Sequence, residues 1–296
     1  MAIAHEFEYF KPESLKEALN LAAKYQEKGR CLAGGTDLVV KIHDEIEFPA
    51  AVIDLKGINE LKKLELKDGK LFIGSLVTFT ELIDSPVARE KFPLLVEASE
   101  TVASGAVRNS ATLAGNICSA VPSLDSGTPL LVYQAEVLVK SKDGERAIPI
   151  GEWFTGPKKN ALKPGEIVVG VTVPEIKGKQ GGCYVKLGRY RGEDLAQVGV
   201  GILALEGNDY RVAFCAVGPV AARAGKIESL LAGKELTDEL IDAAKNLVPE
   251  EISPIADIRA TGEYRMHMAQ VMLARGLKEA LARLQGTGSE YGTSVI

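Results

Sequence analysis

The chain has 296 residues, 46% of them hydrophobic, so it can bury a substantial core, and its length favours two domains over one. Its 35 Lys and Arg against 40 Asp and Glu give a net charge of −5. The signs are interspersed with no long basic run, which argues against a nucleic-acid or anionic-membrane surface. No window of about 18 uncharged apolar residues occurs. Residues 1–8 lack the basic and apolar regions of a signal peptide, so a cytoplasmic protein is expected. Cys31, Cys118, Cys183 and Cys215 lie far apart with no C-x-x-C pair. That argues against an iron–sulfur or zinc site made by this chain alone and leaves four free, mostly buried thiols.

Residues 6–10 read as a short strand. A helix follows, with Leu15, Ala18, Leu19 and Ala22 at i, i+3, i+4 and i+7, and Gly29 ends it. A strand over 31–33 runs into Gly34-Gly35-Thr36-Asp37, followed by a short helix over 38–43 and a strand over 51–55. Leu64-Glu65-Leu66 and Leu71-Phe72-Ile73 flank a turn and predict a hairpin. Residues 78–83 and 94–103 read as helices, and 137–139 and 168–173 as strands. The Gly- and Lys-rich stretch 174–182 marks a domain boundary after residue 176. Beyond it come three successive strands, 184–190, 195–205 and 210–217, the last two joined by Gly207-Asn208-Asp209. Leu273, Leu277, Ala280, Leu281 and Leu284 then form an amphipathic stripe. The expected fold is α+β, with domains 1–176 and 177–296. The second is a three-stranded antiparallel sheet backed by a helical bundle, and 286–296 is a loosely ordered tail.

Three segments carry candidate chemistry. In Ala33-Gly34-Gly35-Thr36-Asp37-Leu38, glycines let successive N–H groups curl around a ligand at a helix N-terminus, an arrangement suited to phosphate. An ordinary strand–turn–helix corner would look similar. The second segment, 108–129, reads as a polar loop. It contains Thr112-Leu113-Ala114-Gly115-Asn116-Ile117, then Asp125, and Thr128-Pro129 as an N-cap with Pro at N1. Its Thr, Gly and Asn can donate to phosphate, and Asp125 can accept from ribose hydroxyls. A loop of this length with little charge reads as functional rather than disordered. The third segment, 184–196, places Tyr184 and Lys186 on one strand face, where a lysine is ordinarily solvated.

The first two segments, in this order and spacing, resemble the FAD subunits of the xanthine dehydrogenase and carbon monoxide dehydrogenase family of molybdenum hydroxylases. The resemblance covers essentially the whole chain. It implies a vanillyl-alcohol-oxidase-like (PCMH-type) FAD-binding domain of two α/β subdomains, then the family's C-terminal flavoprotein domain. It implies that Leu32, Ala33, Gly34, Gly35, Thr36, Asp37, Leu38 and Val39, with Thr112, Ala114, Gly115 and Asn116, wrap the FAD pyrophosphate. Asp125 would hold the ribose or ribityl region, and Val168 would touch flavin or adenine through its backbone. Val102 stands where xanthine dehydrogenases place an aromatic, which puts that contact in doubt. Lys186 would reach the isoalloxazine and stabilise its anionic reduced form. Ala111 and Ala114 replace glycines of the family's second loop, and each methyl limits how closely backbone approaches the pyrophosphate.

The resemblance further implies partners: a small subunit with [2Fe–2S] clusters and a large subunit with molybdopterin and molybdenum, in a hetero-oligomer. Electrons would pass from the clusters to FAD and on to NAD(P)+ or another acceptor. Overall similarity points to a nitrogen heterocycle such as xanthine or nicotinate as the holoenzyme's substrate, with carbon monoxide or an aldehyde as alternatives. His5, His43 and His267 show no metal spacing, and none has a motif for a covalent flavin bond, so non-covalent FAD is expected. Residues 199–204 match G-x-G-x-x-A but sit inside an alternating apolar strand, which reads as close strand-on-sheet packing, not a dinucleotide fingerprint. The rivals are a stand-alone flavin reductase, whose proton donor and substrate arginines are missing, and a scaffold that has lost its cofactor, which the intact loops oppose.

Overall fold

The computed structural model describes residues 5–190 and 193–296; Arg191 and Gly192 of the third segment lie outside the described residues. Strand β1 (Glu8–Phe10) leads into α1 (Leu15–Tyr25), which Ser14 caps by accepting from the Glu17 N–H at 3.2 Å. The helix stops four residues before Gly29, because Gln26 turns the chain with φ of 47°. Strands β2 (Gly29–Leu32) and β3 (Ala51–Asp54) flank α2 (Leu38–His43) in sequence and pair with β1 in a parallel sheet of order β1-β3-β2.

Strands β4 (Leu64–Lys67) and β5 (Lys70–Gly74) form the expected hairpin. Short helices follow: α3 (Phe79–Asp84), α4 (Pro86–Lys91), α5 (Pro93–Glu100), α6 (Gly105–Arg108), α7 (Leu113–Ser119) and α8 (Gly127–Val132). The segment read as a polar loop therefore contains a helix of its own, α7, and the start of α8. Thr128 and Pro129 lie inside the first turn of α8 instead of capping it, with Ser126 at the N-cap. Next come β6 (Glu136–Ser141), β7 (Gly144–Pro149), α9 (Ile150–Trp153), the small hairpin β8 (Phe154–Gly156) and β9 (Lys159–Asn160), and β10 (Ile167–Pro174). Strand β10 inserts between β5 and β6, giving the antiparallel order β4-β5-β10-β6-β7. A register shift between Val168 and Gly170 changes which face its side chains meet. Ile167 and Val169 pack with Ala18 and Ala22 of α1, whereas Val168, Val171 and Val173 join the core formed with the short helices.

Strands β11 (Gln180–Leu187), β12 (Val198–Leu205) and β13 (Asp209–Cys215) correspond to the three expected. A two-residue β14 (Ala222–Arg223) pairs with β13, so the sheet has four strands, not three. Two residues are too few to show an alternation in sequence. Helices α10 (Gly225–Leu231), α11 (Asp238–Glu251) and α12 (Gly262–Leu284) follow. Cys183, Val185, Val198, Val200 and Ile202 pack against these helices, while Tyr184, Leu203 and Cys215 face the N-terminal core. A sheet buried on both faces explains why β12 reads as nearly continuous apolar sequence. The two glycines of its G-x-G-x-x-A string make room for different neighbours: a Cβ on Gly199 would stand 2.3 Å from Cys215 Sγ of β13, and one on Gly201 2.7 Å from the Thr128 Cβ in α8. Gly201 thus meets a helix, where a sheet was expected.

Residues 286–296 are docked, contrary to the loose tail expected. The Tyr291 hydroxyl accepts from the Gly182 N–H at 2.9 Å, and the Gly292 N–H donates to Glu97 Oε1 at 2.9 Å. Arg283 donates to the same oxygen at 2.9 Å, both side chains being buried, and its guanidinium lies over the Tyr291 ring. Glu97 Oε2 accepts from the Tyr184 N–H at 2.7 Å. One buried carboxylate thus joins α5, β11, α12 and the tail. Of the four free thiols, Cys183 and Cys215 are buried, Cys118 is half-buried and Cys31 exposed, fewer buried than expected. Among the described residues no helix is long and apolar enough to cross a membrane, and no group of three His, Cys, Asp or Glu could hold a metal ion.

Glu97→Ala would leave the buried Arg283 with Glu279 as its remaining carboxylate and the Tyr184 and Gly292 N–H groups without their acceptor, and urea unfolding should show a loss of about 1.5–3 kcal/mol. Truncation after Gln285 removes the Tyr291 and Gly292 hydrogen bonds together with those of Ser289 and Glu290 to Glu279 and Arg283, and should cost at least about 1–3 kcal/mol. A truncated chain as stable as the full one would show that the tail contributes nothing.

Candidate cofactor site

The loop from β2 to α2 and the N-terminus of α7 are some 75 residues apart in sequence, yet they touch. The contact is made at Gly34: a Cβ there would stand 1.9 Å from the Ser110 carbonyl oxygen and 3.0 Å from the Ala111 Cα. No other residue type permits this approach. Gly35 follows with φ of 78°, the left-handed region that favours glycine. A side-chain bond clamps the far side of the contact, where Ser119 Oγ donates to Asp37 Oδ2 at 2.6 Å. Asp37, at the N-cap of α2, therefore does not cap its helix through its side chain.

The second segment is held from behind. Thr112 caps α7, its hydroxyl accepting from the Gly115 N–H at 2.9 Å. Asn116 accepts from Ser126 Oγ at 2.6 Å. The Leu113 N–H donates to the Val77 carbonyl, and the Phe79 N–H to the Ala111 carbonyl, so the segment is stitched to the strand-to-helix connection before α3. Ala111 and Ala114 are 8% and 3% exposed and join the core, and both also line the cavity between the two segments.

Between these segments lies a cavity of about 830 Å³. Ala33, Gly34, Gly35, Thr36, Asp37 and Leu38 line it from the first segment and Thr112, Ala114, Gly115 and Asn116 from the second; Leu55, Ile167 and Val168 also line it. The N–H groups of Gly35, Thr36, Asp37, Leu38 and Ala114 have no acceptor among the described residues. A concave set of unpaired donors is a site for anionic oxygens. The surrounding charges agree. Lys41, Lys158, Lys159 and Lys163 border the cavity, and among the described residues none of their ammonium groups has a carboxylate within 4 Å. Of the acidic residues that line the cavity, Glu47 and Glu166 are paired, with Arg30 at 3.1 Å and Arg146 at 2.7 Å, whereas Glu27 and Asp37 have no cationic partner among the described residues. Four lysines against two carboxylates leave an excess of unpaired positive charge here. Volume, donors and charge fit a dinucleotide carrying a pyrophosphate.

Five of the predicted contacts stand elsewhere. Leu32 and Val39 flank the first segment but do not line the cavity, nor does Val102, which is buried in the core. Asp125 and Lys186 also lie outside the cavity lining and are bound to one another. Lys186 Nζ donates to Asp125 Oδ2 at 2.9 Å and to the Thr101 carbonyl at 2.8 Å, so it is not the solvated surface lysine its strand position suggests. The Tyr184 hydroxyl donates to Asp125 Oδ1 at 2.6 Å. Burial raises the Asp125 carboxyl above the ordinary carboxylate range, against the pull of the ammonium and the tyrosine hydroxyl.

The sequence reading missed the basic wall. Lys158 and Lys159 lie on the β8–β9 turn, anchored to the C-terminal end of α7: the Lys158 N–H donates to the Ala120 carbonyl at 2.9 Å, and Asn160 Nδ2 to that of Cys118 at 2.7 Å. Gly156-Pro157-Lys158-Lys159 is legible as a turn. Nothing in chain order says that it folds beside Gly34.

The family model described as the FAD binding domain in molybdopterin dehydrogenase matches residues 5–176, and the one described as the CO dehydrogenase flavoprotein C-terminal domain matches 183–280. The chain is 31% identical to the xanthine dehydrogenase FAD-binding subunit of Escherichia coli O157:H7, over 94% of this chain and 97% of that one. It is 30% identical to the carbon monoxide dehydrogenase medium chain of Hydrogenophaga pseudoflava, over 95% and 99%. A solved structure of carbon monoxide dehydrogenase from Hydrogenophaga pseudoflava superposes with a TM-score of 0.91 over 96% of this chain and 99% of that chain, at 31% identity. With the two phosphate-suited segments, the two domain models and relatives matched nearly end to end, the chain belongs to the FAD-binding medium subunits of the xanthine and carbon monoxide dehydrogenase family of molybdenum hydroxylases.

Proposed function

We propose that this chain works in a hetero-oligomer with a small iron–sulfur subunit and a large molybdopterin subunit, taking electrons from the first and delivering them to NAD(P)+ or another acceptor. Residues 1–176 hold the FAD and 177–296 form the second domain. The observation that carries this is the cavity with its unpaired backbone donors, set in a chain with no metal cluster among its described residues. Bound FAD supplies the conversion between single-electron arrivals and two-electron donation. The chain's own part is to fix the pyrophosphate between Gly34–Leu38 and Thr112–Asn116 and to set the electrostatics. We read the attachment as non-covalent: among the described residues no histidine lines the cavity, and the closest in sequence, His43, ends α2 and bonds to Asp44.

We assign the holoenzyme a nitrogen heteroaromatic substrate such as xanthine or nicotinate, a reading supported by the likeness to the Escherichia coli xanthine dehydrogenase subunit. Oxidation of carbon monoxide or an aldehyde by the co-purified complex, with no turnover of either heterocycle, would replace it.

A flavin spectrum of the purified chain tests the central reading; protein that neither carries nor takes up FAD would sink it. Gly34→Ala should lower FAD occupancy at least tenfold, because the methyl forces the two segments apart, and flavin-to-protein absorbance ratios measure it. Lys186→Met strands a buried carboxylate at Asp125 and should cost about 3–5 kcal/mol in urea unfolding at neutral pH. Adding Asp125→Asn to that variant should restore part of the loss. Unchanged stability in Lys186→Met would mean that the pair is not held as described.

A further inference from the structure

The β8–β9 turn is held at the cavity by the C-terminal end of α7. Trp153 Nε1 donates to the Ile117 carbonyl at 2.9 Å, Asn160 Nδ2 to that of Cys118 at 2.7 Å, and the Lys158 N–H to that of Ala120 at 2.9 Å. After the hairpin, Arg146 donates to the Ala161 carbonyl at 2.8 Å and pairs with Glu166 at 2.7 Å. The turn itself is Pro157-Lys158, between the paired residues Gly156 and Lys159. Lys158 has φ of 57°, the left-handed region in which a side chain is strained and glycine is favoured. Among the described residues, two non-glycine residues in that region line the cavity, Gln26 and Lys158, and only Lys158 carries a charge. Its side chain is exposed, with no carboxylate within 4 Å among the described residues.

Glycine would make the same turn without strain, and the Lys158 ammonium gains no ion pair from the fold. A strained, unpaired cation at the wall of a binding cavity is unfavourable in the empty chain and becomes favourable once an anion is bound. We propose that Lys158 is a further cofactor-binding residue, its ammonium pairing with the pyrophosphate oxygens of bound FAD. This rests on the reading of the cavity as the FAD site. It deepens that reading by adding a third segment, and a full charge, to the two segments of backbone donors. The flexible four-carbon stem lets the ammonium turn to a phosphate oxygen, while the bonds to α7 keep the backbone of the turn at the cavity wall. The charge then contributes to holo stability, and the residue costs stability in the apo chain.

Lys158→Gly removes the charge and the strain together. FAD binding to the deflavinated full-length chain is measured by fluorescence titration, and thermal unfolding of that chain is followed without FAD. At low salt the Kd should rise about three- to tenfold, the loss of one charge-assisted contact at a partly solvated site. In about 0.5 M KCl, where screening weakens the wild-type contact, the difference should shrink. The Tm of the deflavinated variant should stay the same or rise. Lys158→Arg keeps the charge and should bind FAD as tightly as the wild type. An unchanged Kd in Lys158→Gly overturns the proposal, as does a Lys158→Arg chain that binds as weakly as Lys158→Gly. So does a weaker Kd that salt does not narrow or that comes with a lower Tm, since either would mark Lys158 as a residue that only shapes the turn. A wild-type chain that binds no FAD is a separate failure, that of the cavity's assignment.

Discussion

The site depends on the absence of one atom. At Gly34 the strand-to-helix connection lies so close to the Ser110 carbonyl that a Cβ would overlap it. That approach brings two donor-rich segments to a common cavity. Everything else at the site reinforces it. The Asp37–Ser119 hydrogen bond clamps the far side, and Thr112 and Asn116 are each held by a bond from behind. Asp37, at the N-cap of α2, is engaged with Ser119, and the N–H groups of Gly35, Thr36, Asp37, Leu38 and Ala114 have no acceptor among the described residues. Leaving donors unpaired is unfavourable in the empty chain, and it is what makes the cavity receptive to an anion.

The sequence showed those segments for a local reason. Glycine pairs, small polar residues and a following apolar helix leave a signature within six residues, and the fold class, most strands and helices α1, α2, α3, α5 and α12 were legible, whereas α4, α6, α8 and α9, of four to six residues each, were not. What it hid was non-local or very short. The fourth strand of the second sheet has only two residues. Helix α7 sits in a stretch whose Thr, Gly and Asn content reads as loop, and its start becomes clear only through the Thr112 cap. The basic wall from the β8–β9 turn depends on a crossing between distant segments. The tail looked free because Gly286, Gly288 and Gly292 dominate its composition, whereas its anchoring comes from Tyr291 and from carboxylate oxygens almost two hundred residues earlier.

The second half is built to be stiff behind the site. Its sheet is buried on both faces, and small residues let helices sit unusually near it: Gly201 toward α8 on one face, and Gly276 of α12 toward Ile202 on the other. Helix α8 begins just after Ser126, which holds Asn116, so the packing of β12 on α8 bears on the cavity through one hydrogen-bonded side chain. The Glu97 carboxylate ties α5 to β11 and α12 with hydrogen bonds and an ion pair. A buried ion pair is weak evidence of extra stability, because desolvation opposes the Coulomb gain. Its effect here is geometric: it accepts bonds from three separate parts of the chain in fixed directions.

The same reasoning applies to Asp125 and Lys186. Family resemblance gives each a direct role at the cofactor, and each is already engaged, with the other and with Tyr184 and Thr101. A lysine held by a carboxylate projects less net charge than a free one, because the two fields largely cancel at a distance. Lysines with no carboxylate within 4 Å among the described residues instead border the pyrophosphate-suited segments. The electrostatic work is thereby divided. Free cations and backbone donors suit an anionic ligand, whereas the neutralised Asp125–Lys186 pair links the α7–α8 connection to β11 without adding a strong field of its own.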